Sequence, residues 1–552
     1  MKNIHQKILL DIIKARPKDH GQFLILKKKF SGQYGLAPVT NATLIEAWRQ
    51  IKTKNLSPYY LTTLLPFFTK RATRTLSGVT PITVLTKPYA CPGQCIYCPN
   101  EPGMPKSYLS NEPAAQRAKA LGFNPAKQTT LRIKALEANG HQVDKIELLI
   151  LGGCFNAYPK KYQEDFIKKC FIACNHKKTK KQKNKETKNL VRIFKNNETA
   201  KYRIIGVTIE TRPDLINEDE IKWFRKLGVT RVQLGVQHLD DKILKLVKRG
   251  HNTKQTIEAT KLLKQAGFKI DYHLMPDLPG STPQKDLKMF QQLFTDQNFQ
   301  PDQIKIYPTV VNEYAPLKKW LKSGKYKPYT PYRLIALLAK VKLTVPYYVR
   351  INRLIRDIPK ESIMAGNKIT NLRQFLQNKL KKDKKECKCI RCREVKENIA
   401  DFKNAKLFNQ KYRASKAIEY FVSFESPKRD QLYSFLRLRI NDDKNIYIPE
   451  LNNAAIVREL HTYGQLVTVT DRSGKGFIPL PVKNSTQHTG FGKKLMKIAE
   501  DLTLKHGLKK IAVISGIGVR PYYRKLGYKL QGTYMVKHFT NSSQMAHPIT
   551  RK

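Results

Sequence analysis

Three cysteines of this chain stand close enough together to hold a metal cluster. Cys91, Cys95 and Cys98 have the spacing C-x3-C-x2-C, with Tyr97 just before the last of them. Iron–sulfur clusters require soft thiolate ligands, and this spacing lets one loop supply three corners of a single [4Fe–4S] cube. The fourth iron is then left open to bind S-adenosylmethionine, which it can cleave to a radical. A zinc loop or three unrelated buried thiols are the alternatives, but zinc requires a fourth ligand close by.

A glycine-containing segment near the end of the chain has the pattern of a pyrophosphate-binding loop. Gln487, Gly490 and Gly492 form the pattern Q-x-x-G-x-G just before a predicted helix. Glycine lets a backbone approach a ligand closely, and a helix N-terminus offers unpaired N–H groups and a positive dipole end. With Tyr522 and Tyr523 on a later predicted helix, the pattern is typical of the coenzyme A loop of GNAT-type acetyltransferases. The alternative for the two tyrosines is packing in the core.

Two titratable residues follow a predicted strand over 455–459 in the same region. Glu459 and His461 could polarise a thioester or activate a water molecule, which makes both candidates for catalysis. A hydrogen-bonded histidine in the core is the alternative, so the sequence does not assign a general base.

A second group of cysteines follows a basic run in the middle of the chain. Cys387, Cys389 and Cys392 suit a structural zinc ion whose fourth ligand comes from elsewhere in the chain. No histidine lies between this group and His461, so the fourth ligand is unassigned. A second iron–sulfur cluster is the alternative here. The other cysteines, among them Cys154, are predicted to be buried thiols.

Short apolar runs alternate with helical stretches between about residues 80 and 345, which predicts a parallel sheet or barrel. The predicted strands are 82–87, 145–153, 203–212, 231–237, 269–276 and 303–309. Polar or glycine residues follow several of them, including Gly152, Gly153, Glu210 and Arg212. Loops at the carboxyl ends of barrel strands form the active face, so these residues and the Cys91 loop are predicted to meet at one mouth.

The charge of the chain points to a polyanionic partner. Lys and Arg number 103 against 43 Asp and Glu among 552 residues, a net charge of +60. RNA or DNA would account for that excess, although a lysine-rich genome could inflate it. The first 75 residues are basic and helical in pattern, and interleave lysines 27–29 with Tyr34, Tyr59 and Tyr60. They predict a nucleic-acid platform, for which a helical cap with a solvated lysine face is the alternative.

The cysteines and the hydropathy of the chain indicate its compartment. Clustered cysteines are typical of metal sites in a reducing environment, and no uninterrupted apolar run approaches the ~20 residues of a membrane span. The sequence therefore predicts a cytoplasmic protein without membrane contact. The run 177–188, which is almost free of apolar residues, is predicted to be a solvated basic loop.

Between about residues 27 and 538 the sequence resembles the catalytic subunits of Elongator, the radical-SAM/GNAT acetyltransferases that modify tRNA. The matching stretches include GVTIETRPD from Gly206, RELHTYG from Arg458 and the Gln487 loop. The resemblance implies an α/β fold: a partial (βα)6 TIM-like radical SAM barrel, then a GNAT domain, with a basic helical N-terminal region. The segments would be 1–75, 76–370, a cysteine-rich linker over 371–409, and 410–552. The spacing of the first cysteines is the short form, without the longer loop of the eukaryotic members. The group Cys387–Cys392 matches prokaryotic members, which implies an enzyme that acts as a single protein.

The resemblance also implies an activity, namely acetyl-CoA-dependent conversion of the wobble uridine U34 of tRNA to 5-carboxymethyluridine. A 5′-deoxyadenosyl radical would remove hydrogen from the acetyl methyl group, the carbon radical would add to uridine C5, and the thioester would be hydrolysed. Catalytic roles would fall to Lys145, Glu459 and His461. Cofactor contacts are implied at Lys145, Glu459, Leu460, His461, Thr462, Gln487, Gly490, Phe491, Gly492, Lys493, Tyr522, Tyr523, Gly152, Gly153, Glu210 and Arg212.

The implied partners are the anticodon stem-loop of tRNA and an electron donor, and a homodimer is left open. One residue departs from the family pattern, because Cys154 stands where a threonine is usual.

A protein lysine acetyltransferase with a structural cluster is the alternative enzyme. A redox-sensing RNA-binding scaffold is the alternative that is not an enzyme.

Overall fold

The computed structural model describes residues 2–51, 67–68, 77–175, 189–395, 402–464 and 490–539. The N-terminal region is helical in its described part, as the sequence predicts. Its helices are α1 (Lys2–Lys14), α2 (His20–Gln33) and α3 (Asn41–Gln50). Asp19 and Thr40 begin α2 and α3 by accepting backbone N–H groups, the preferred N-cap arrangement. A small core of its own, which includes Ile8, Ile12, Phe23, Leu44 and Trp48, holds the helices together.

A curled parallel sheet forms the centre of the molecule. Its strands are β1 (Val79–Leu85), β2 (Lys145–Leu151), β3 (Arg203–Thr211), β4 (Arg231–Gln237), β5 (Lys269–Leu274), β6 (Gln303–Ile306) and β8 (Arg350–Arg353); the short strands β7 (Val310–Val311) and β9 (Ala365–Gly366) pair separately. All six predicted strands are present, in chain order and parallel. The described residues add β8, a seventh parallel strand that the sequence analysis did not predict.

Helices return the chain between these strands and cover the outer face of the sheet. They are α4 (Pro113–Ala120), α5 (Pro125–Ala138), α6 (Lys160–Asn175), α7 (Leu190–Asn197), α8 (Glu218–Lys226), α9 (Asp241–Leu246), α10 (Thr253–Gln265), α11 (Pro283–Thr295), α12 (Leu317–Lys322), α13 (Pro331–Thr344), α14 (Leu372–Lys382) and α15 (Ile390–Arg393). Alternate residues of β2, such as Ile146, Leu148 and Ile150, are buried in the core against these helices. The residues between them face the inside of the half-barrel, because successive side chains of a strand point to opposite faces.

The C-terminal domain is a mixed sheet with helices. Its elements are β10 (Lys406–Arg413), β11 (Ala417–Glu425), β12 (Leu432–Asn441), β13 (Ala455–Thr462), α16 (Phe491–Lys505), β14 (Lys510–Val513), α17 (Arg520–Arg524), β15 (Lys529–Gln531) and β16 (Tyr534–His538). The sheet order is β10-β11-β12-β13-β14-β16-β15, antiparallel except between β13 and β14. The predicted strand over 455–459 runs on to Thr462, and the sequence analysis did not identify β10, β11, β15 or β16.

Buried charges join the two domains. Arg458 of β13 is fully buried, and its Nη1 lies 2.9 Å from Asp302 of the barrel and 3.0 Å from Glu419 of β11. Arg437 of β12 donates to the Tyr348 carbonyl at 2.7 Å, and the Tyr534 hydroxyl donates to the Ala266 carbonyl at 2.9 Å. The hydrophobic core of the barrel continues into the C-terminal domain through residues that include Ile456, Ala512 and Val536. The domains therefore pack as one body.

The described helices include none that is both long and apolar enough to cross a bilayer. The predicted loop 177–188, together with Tyr59 and Tyr60, lies outside the described residues. The domain boundaries at 75, 370 and 409 remain predictions.

Replacing Arg458 by alanine should destabilise the protein strongly, because Asp302 and Glu419 would stay buried without their shared cation. We expect the free energy of unfolding, measured by chemical denaturation, to fall by about 3–5 kcal/mol. Lys497→Ala, which removes an exposed 2.9 Å ion pair with Asp501, is the matched control and should cost under about 1 kcal/mol. Similar losses in both variants would contradict the role given to the buried pair.

Candidate functional site

The first cysteine loop follows β1 at the carboxyl end of the barrel. Ile96 fixes the loop on two sides, because its N–H donates to the Val247 carbonyl at 3.1 Å and its carbonyl accepts from Leu317 at 2.7 Å. Cys95 is buried, whereas Cys91 and Cys98 are half-buried. The structure thus places all three thiols on one anchored loop at the mouth that the sequence analysis predicted.

Two guanidinium groups lie beside this loop. The Arg249 Nη1 is 3.5 Å from the Cys95 sulfur, and the Arg249 side chain is held by the Gly235 carbonyl. Arg212 forms a two-point ion pair with Asp214, while its Nη1 is buried without a hydrogen bond beside Gly93 of the loop. The sequence analysis missed Arg249, which follows helix α9 rather than a strand end and so carries no local signal of the site.

The Cys154 thiol contacts Cys91. The residue that departs from the family pattern therefore lies directly beside the first cysteine loop. A hydrogen bond from Cys154 lowers the pKa of Cys91 to about 6; burial opposes this shift, and Arg212 and Arg249 add to it. These contacts favour the thiolate form at Cys91, whereas burial raises the pKa of Cys98 to about 12.

The distances between thiols differ in the two cysteine groups, and that difference bears on which metal each can hold. Only Cys387, Cys389 and Cys392 have ligand atoms within 4.8 Å of one another among the described residues. A single zinc ion holds its thiolates ~3.8 Å apart, which follows from tetrahedral bonds of about 2.3 Å. A cube of four irons is wider and needs its ligands further apart. The Cys91 loop, with two cations beside it, therefore fits an anionic cluster, and the second group fits one ion.

The predicted S-adenosylmethionine residues gather at the same mouth. Gly152 and Gly153 follow β2 with φ angles of 130° and 91°, which only glycine adopts readily. Their N–H groups point at Glu210 Oε2, at 3.4 and 3.5 Å, and the Tyr108 hydroxyl donates to the same oxygen at 2.8 Å. The structure brings these residues together with Arg212 and the Cys91 loop. Their role in cofactor binding remains a prediction.

The predicted coenzyme A loop lies at the N-terminus of α16. Gly490 begins the helix at a φ of 87° and has no side chain to cap it, so within the described residues the N–H groups of Phe491, Gly492 and Lys493 are open to an anion. The Tyr522 hydroxyl would be 3.1 Å from a Cβ added at Gly492, so it lies directly against this turn. Tyr523 is buried and packs in the core of the domain. Gln487 lies outside the described residues.

Strand β13 opens a second part of this site. It pairs in parallel with β14 only from Ala455 to Val457, and then runs on beyond the end of β14. Among the residues that the structure describes, β12 is its one partner from Glu459 to Thr462, so the other edge there is open to an extended ligand. The structure therefore gives Glu459, Leu460, His461 and Thr462 a free backbone edge next to α16.

Glu459 and His461 differ in what they can do chemically. Glu459 contacts Lys269 at 3.2 Å and Arg437 at 2.9 Å; burial raises its pKa, but these cations outweigh burial and lower the pKa to about 2. Glu459 is therefore an ionised carboxylate held in ion pairs, and it is a weak base. Burial lowers the pKa of His461 to about 4, and its Nε2 is buried without a hydrogen bond. The ring is therefore neutral and can hydrogen-bond a bound ligand, but so low a pKa also makes it a weak general base.

Lys145 begins β2 at the end of the barrel that faces the C-terminal domain. Its pKa is lowered, mainly by burial, and no hydrogen bond or ion pair holds its ammonium within the described residues. Glu147 lies two residues further along the same strand. It is close enough to Glu459 and His461 for their charges to influence its pKa. Lys145 therefore lies at the end of the barrel near Glu459 and His461, opposite the cysteine mouth.

The second cysteine group packs beside a buried lysine. Lys342 is fully buried, and its Nζ lies 3.5 Å from the Cys392 sulfur. In the described residues no fourth histidine, cysteine or carboxylate ligand atom lies within 4.8 Å of all three thiols. The fourth ligand that the sequence left unassigned stays unassigned.

Comparison with protein families matches most of the chain. The radical SAM superfamily model matches residues 86–293, the Radical_SAM C-terminal domain matches 301–382, and the acetyltransferase (GNAT) domain matches 461–547. The chain is 44% identical over 488 residues to the tRNA uridine(34) acetyltransferase of Methanocaldococcus infernus, covering 86% of this chain and 88% of that protein. It is 42% identical to the enzyme of the same name from Dehalococcoides mccartyi, covering 85% and 99%.

More distant relatives and a solved structure agree with these matches. The human Elongator complex protein 3 is 35% identical over 528 residues, with 93% of this chain and 92% of that protein covered. The solved archaeal Methanocaldococcus infernus Elp3 with an N-terminal deletion superposes with a TM-score of 0.70 at 39% identity. That superposition covers 84% of this chain and all of the other.

Replacing Gly492 by valine should weaken acetyl-CoA binding, because the branched side chain would meet the Tyr522 hydroxyl and crowd the open N–H groups. We expect Kd, measured by calorimetry, to rise at least about tenfold, a loss of roughly 1.4 kcal/mol. Lys497→Val puts the same side chain on the exposed face of the same helix and should leave Kd unchanged. An unchanged Kd in Gly492→Val would rule out this helix end as the anion site.

Proposed function

This chain belongs to the family of tRNA uridine(34) acetyltransferases that includes Elongator complex protein 3, and we propose that it modifies the wobble uridine of tRNA. The donor is acetyl-CoA, and the product is 5-carboxymethyluridine. The observation that carries the proposal is the presence of both sites in one rigid body. An anchored three-thiol loop occupies one end of the barrel, and an open helix N-terminus with a free strand edge lies at the other.

A [4Fe–4S] cluster and S-adenosylmethionine, when bound, supply the radical chemistry of this family. The contribution of the chain is to hold them. Cys91, Cys95 and Cys98 provide the ligands, and Arg249 balances the negative charge of the thiolates. Arg212 keeps one buried donor free for a bound anion, which a carboxylate of S-adenosylmethionine would satisfy.

At the other end, the chain binds and orients the thioester. The first turn of α16 receives the pyrophosphate, and the free edge of β13 receives the amides of the pantetheine arm. His461 is placed to hydrogen-bond the thioester or the water that attacks it, because its ring is neutral and its Nε2 has no hydrogen-bond partner within the described residues. Glu459 orients this region through Lys269 and Arg437. Lys145 supplies a cation for a phosphate or the thioester oxygen.

The tRNA partner explains the net charge of +60. The described N-terminal helices carry lysines 27–29 on α2, where Lys27 also hydrogen-bonds Asn41 at 2.8 Å. We assign this region to the anticodon stem-loop, and the protein to the cytoplasm, where it would meet its substrate and a reducing electron donor. The identity of that donor and a homodimer remain predictions.

Anaerobic protein, reconstituted with iron and sulfide and supplied with tRNA, S-adenosylmethionine and acetyl-CoA, should form 5-carboxymethyluridine. Mass spectrometry of the wobble nucleoside measures the product. Cys95→Ala should abolish the product and still bind acetyl-CoA, since the two sites lie at opposite ends of the barrel. Cys174→Ala, which alters a buried thiol in α6, is the matched control. Product retained in Cys95→Ala would contradict the radical mechanism, and acetylation of protein lysines by Cys95→Ala would instead favour a protein acetyltransferase.

The second cysteine group is proposed as a structural zinc site. Its thiols are close enough for one ion, and the buried Lys342 ammonium offsets the excess negative charge of three thiolates around Zn²⁺.

Elemental analysis tests the zinc proposal. Cys389→Ser should lower the zinc content from about one equivalent per chain to near zero, because structural zinc sites need all their ligands. The iron content should stay unchanged, since the first loop is separate. Zinc retained in Cys389→Ser, or zinc lost from Cys174→Ala as well, would contradict the assignment.

A further inference from the structure

Three tyrosine rings form a row beside the first cysteine loop. The rings of Tyr89 and Tyr158 stack with their centroids 4.6 Å apart at an angle of 28°, and Tyr158 stacks on Tyr162 of α6 at 4.7 Å and 21°. Tyr158, the middle ring, is buried, whereas Tyr89 is 42% exposed. Within the described residues, the row therefore ends in a ring that solvent can reach.

The two inner rings are held by the segment that leads from β1 into the loop. The Tyr158 hydroxyl donates to the Lys87 carbonyl at 2.5 Å, and the Tyr162 hydroxyl accepts from the Lys87 N–H at 3.1 Å. The row therefore gives Tyr89 a fixed support. A tyrosine on such a support offers a large flat surface and loses little conformational entropy when it binds a ligand.

The row belongs to the same mouth as the predicted S-adenosylmethionine residues. Tyr89 precedes Cys91 by two residues, so their Cα atoms lie within ~7 Å of each other. The Tyr158 hydroxyl is also 2.8 Å from Thr86 Oγ1, and a Cβ added at Gly152 would meet that same oxygen. Residues 87–90 are all exposed, so Tyr89 lies on the rim of the mouth.

A cation accompanies the exposed ring. Lys87 is exposed, and its Nζ lies 5.2 Å from the centre of the Tyr162 ring. Sites for single-stranded nucleic acid combine cations that contact phosphates with aromatic rings on which bases stack. Both elements stand two residues apart here, in a chain with a net charge of +60. This combination favours an RNA base, rather than an apolar side chain of another protein, as the group that covers the ring.

The proposed reaction creates a need for such a ring. An enzyme that modifies a base takes that base out of its stack, and the next base in the loop then loses a stacking partner. Unstacked bases of RNA loops are commonly bound by aromatic side chains. Tyr89 is exposed on the rim, whereas Gly152 and Arg212 are buried. Tyr89 is therefore better placed for the neighbouring base than for the wobble uridine itself.

We propose that Tyr89 is a stacking platform for the base next to the wobble uridine in the anticodon loop of tRNA, and that Lys87 contacts a neighbouring phosphate. The platform holds the opened loop at the rim while the wobble uridine lies deeper in the mouth. The proposal rests on the proposed function for the identity of the RNA, but it concerns binding and can be tested without turnover.

A double-mutant cycle between Tyr89 and the RNA tests the platform. Fluorescence anisotropy measures Kd for the reconstituted holoenzyme and a synthetic anticodon stem-loop RNA. Tyr89→Leu still covers Tyr158 but lacks an aromatic face, so Kd should rise about tenfold, whereas Tyr89→Phe should leave it unchanged. When the RNA carries an abasic site at one neighbour of the wobble uridine, Tyr89→Leu should have no further effect. Phe375→Leu, which removes another exposed ring on α14, is the matched control and should leave Kd unchanged.

Three outcomes of this cycle would overturn the proposal. Tyr89→Leu could weaken intact and abasic RNA by the same factor, which would show that no base stacks on the ring. Coupling confined to the wobble position would show that Tyr89 holds the target base. Equal losses in Tyr89→Leu and Phe375→Leu would show that the effect is not specific to the mouth.

A photochemical cross-link gives a second readout that needs no variant. With 5-iodouridine at the neighbouring position, irradiation of the unsubstituted holoenzyme should join the RNA to Tyr89, which peptide mass spectrometry identifies. Cross-links to other residues only would overturn the proposal. Coupling and a cross-link in a protein that forms no 5-carboxymethyluridine would refute the function and keep the platform. Product formed without either would keep the function and refute the platform.

Discussion

The placement of both sites depends on a buried cation shared by two carboxylates. Arg458 bridges Asp302 of the barrel and Glu419 of the C-terminal domain, and all three side chains are fully buried. Charges buried in this way contribute little net stability compared with apolar residues of the same volume, but they tolerate few alternatives, because any shift leaves a charge unpaired. The domain interface therefore has one favoured arrangement. The distance between the thiol loop and the open helix end is set by that arrangement.

The same interface sets the chemistry of neighbouring residues. Arg437 lies in the network and also holds Glu459, while Lys269 reaches Glu459 from the barrel. These two cations keep Glu459 ionised, which leaves His461 as the neutral group at the free strand edge. The ion pairs that join the two domains thus also make Glu459 an ionised, paired carboxylate and leave His461 a neutral ring. The sequence alone does not show this difference between the two residues.

Much of this architecture was predictable from local sequence. The six barrel strands, the thiol loop and the open helix N-terminus follow from apolar periodicity, cysteine spacing and glycine position, all of which are short-range signals. Strand β10 escaped prediction because it is an edge strand, and its alternation carries lysine, asparagine and glutamine in place of a clear apolar face. The contact between Lys269 and Glu459 joins residues 190 positions apart. No local pattern encodes such a pair, so the sequence alone could not show that Glu459 is held in an ion pair with Lys269.

The two cysteine groups place one residue type in two different surroundings. Both contain three thiols with a final C-x2-C spacing, so spacing separates them only weakly. In the structure, the second group converges within 4.8 Å beside Lys342, whereas the first spreads around a wider loop beside Arg212 and Arg249. Thiols that converge in this way are close enough for one ion, whereas the corners of a cube need ligands that lie further apart. The first loop is fixed to the barrel mouth through the backbone of Ile96, which is hydrogen-bonded on both sides. The surroundings of the thiols therefore separate the two groups where the cysteine spacing does not.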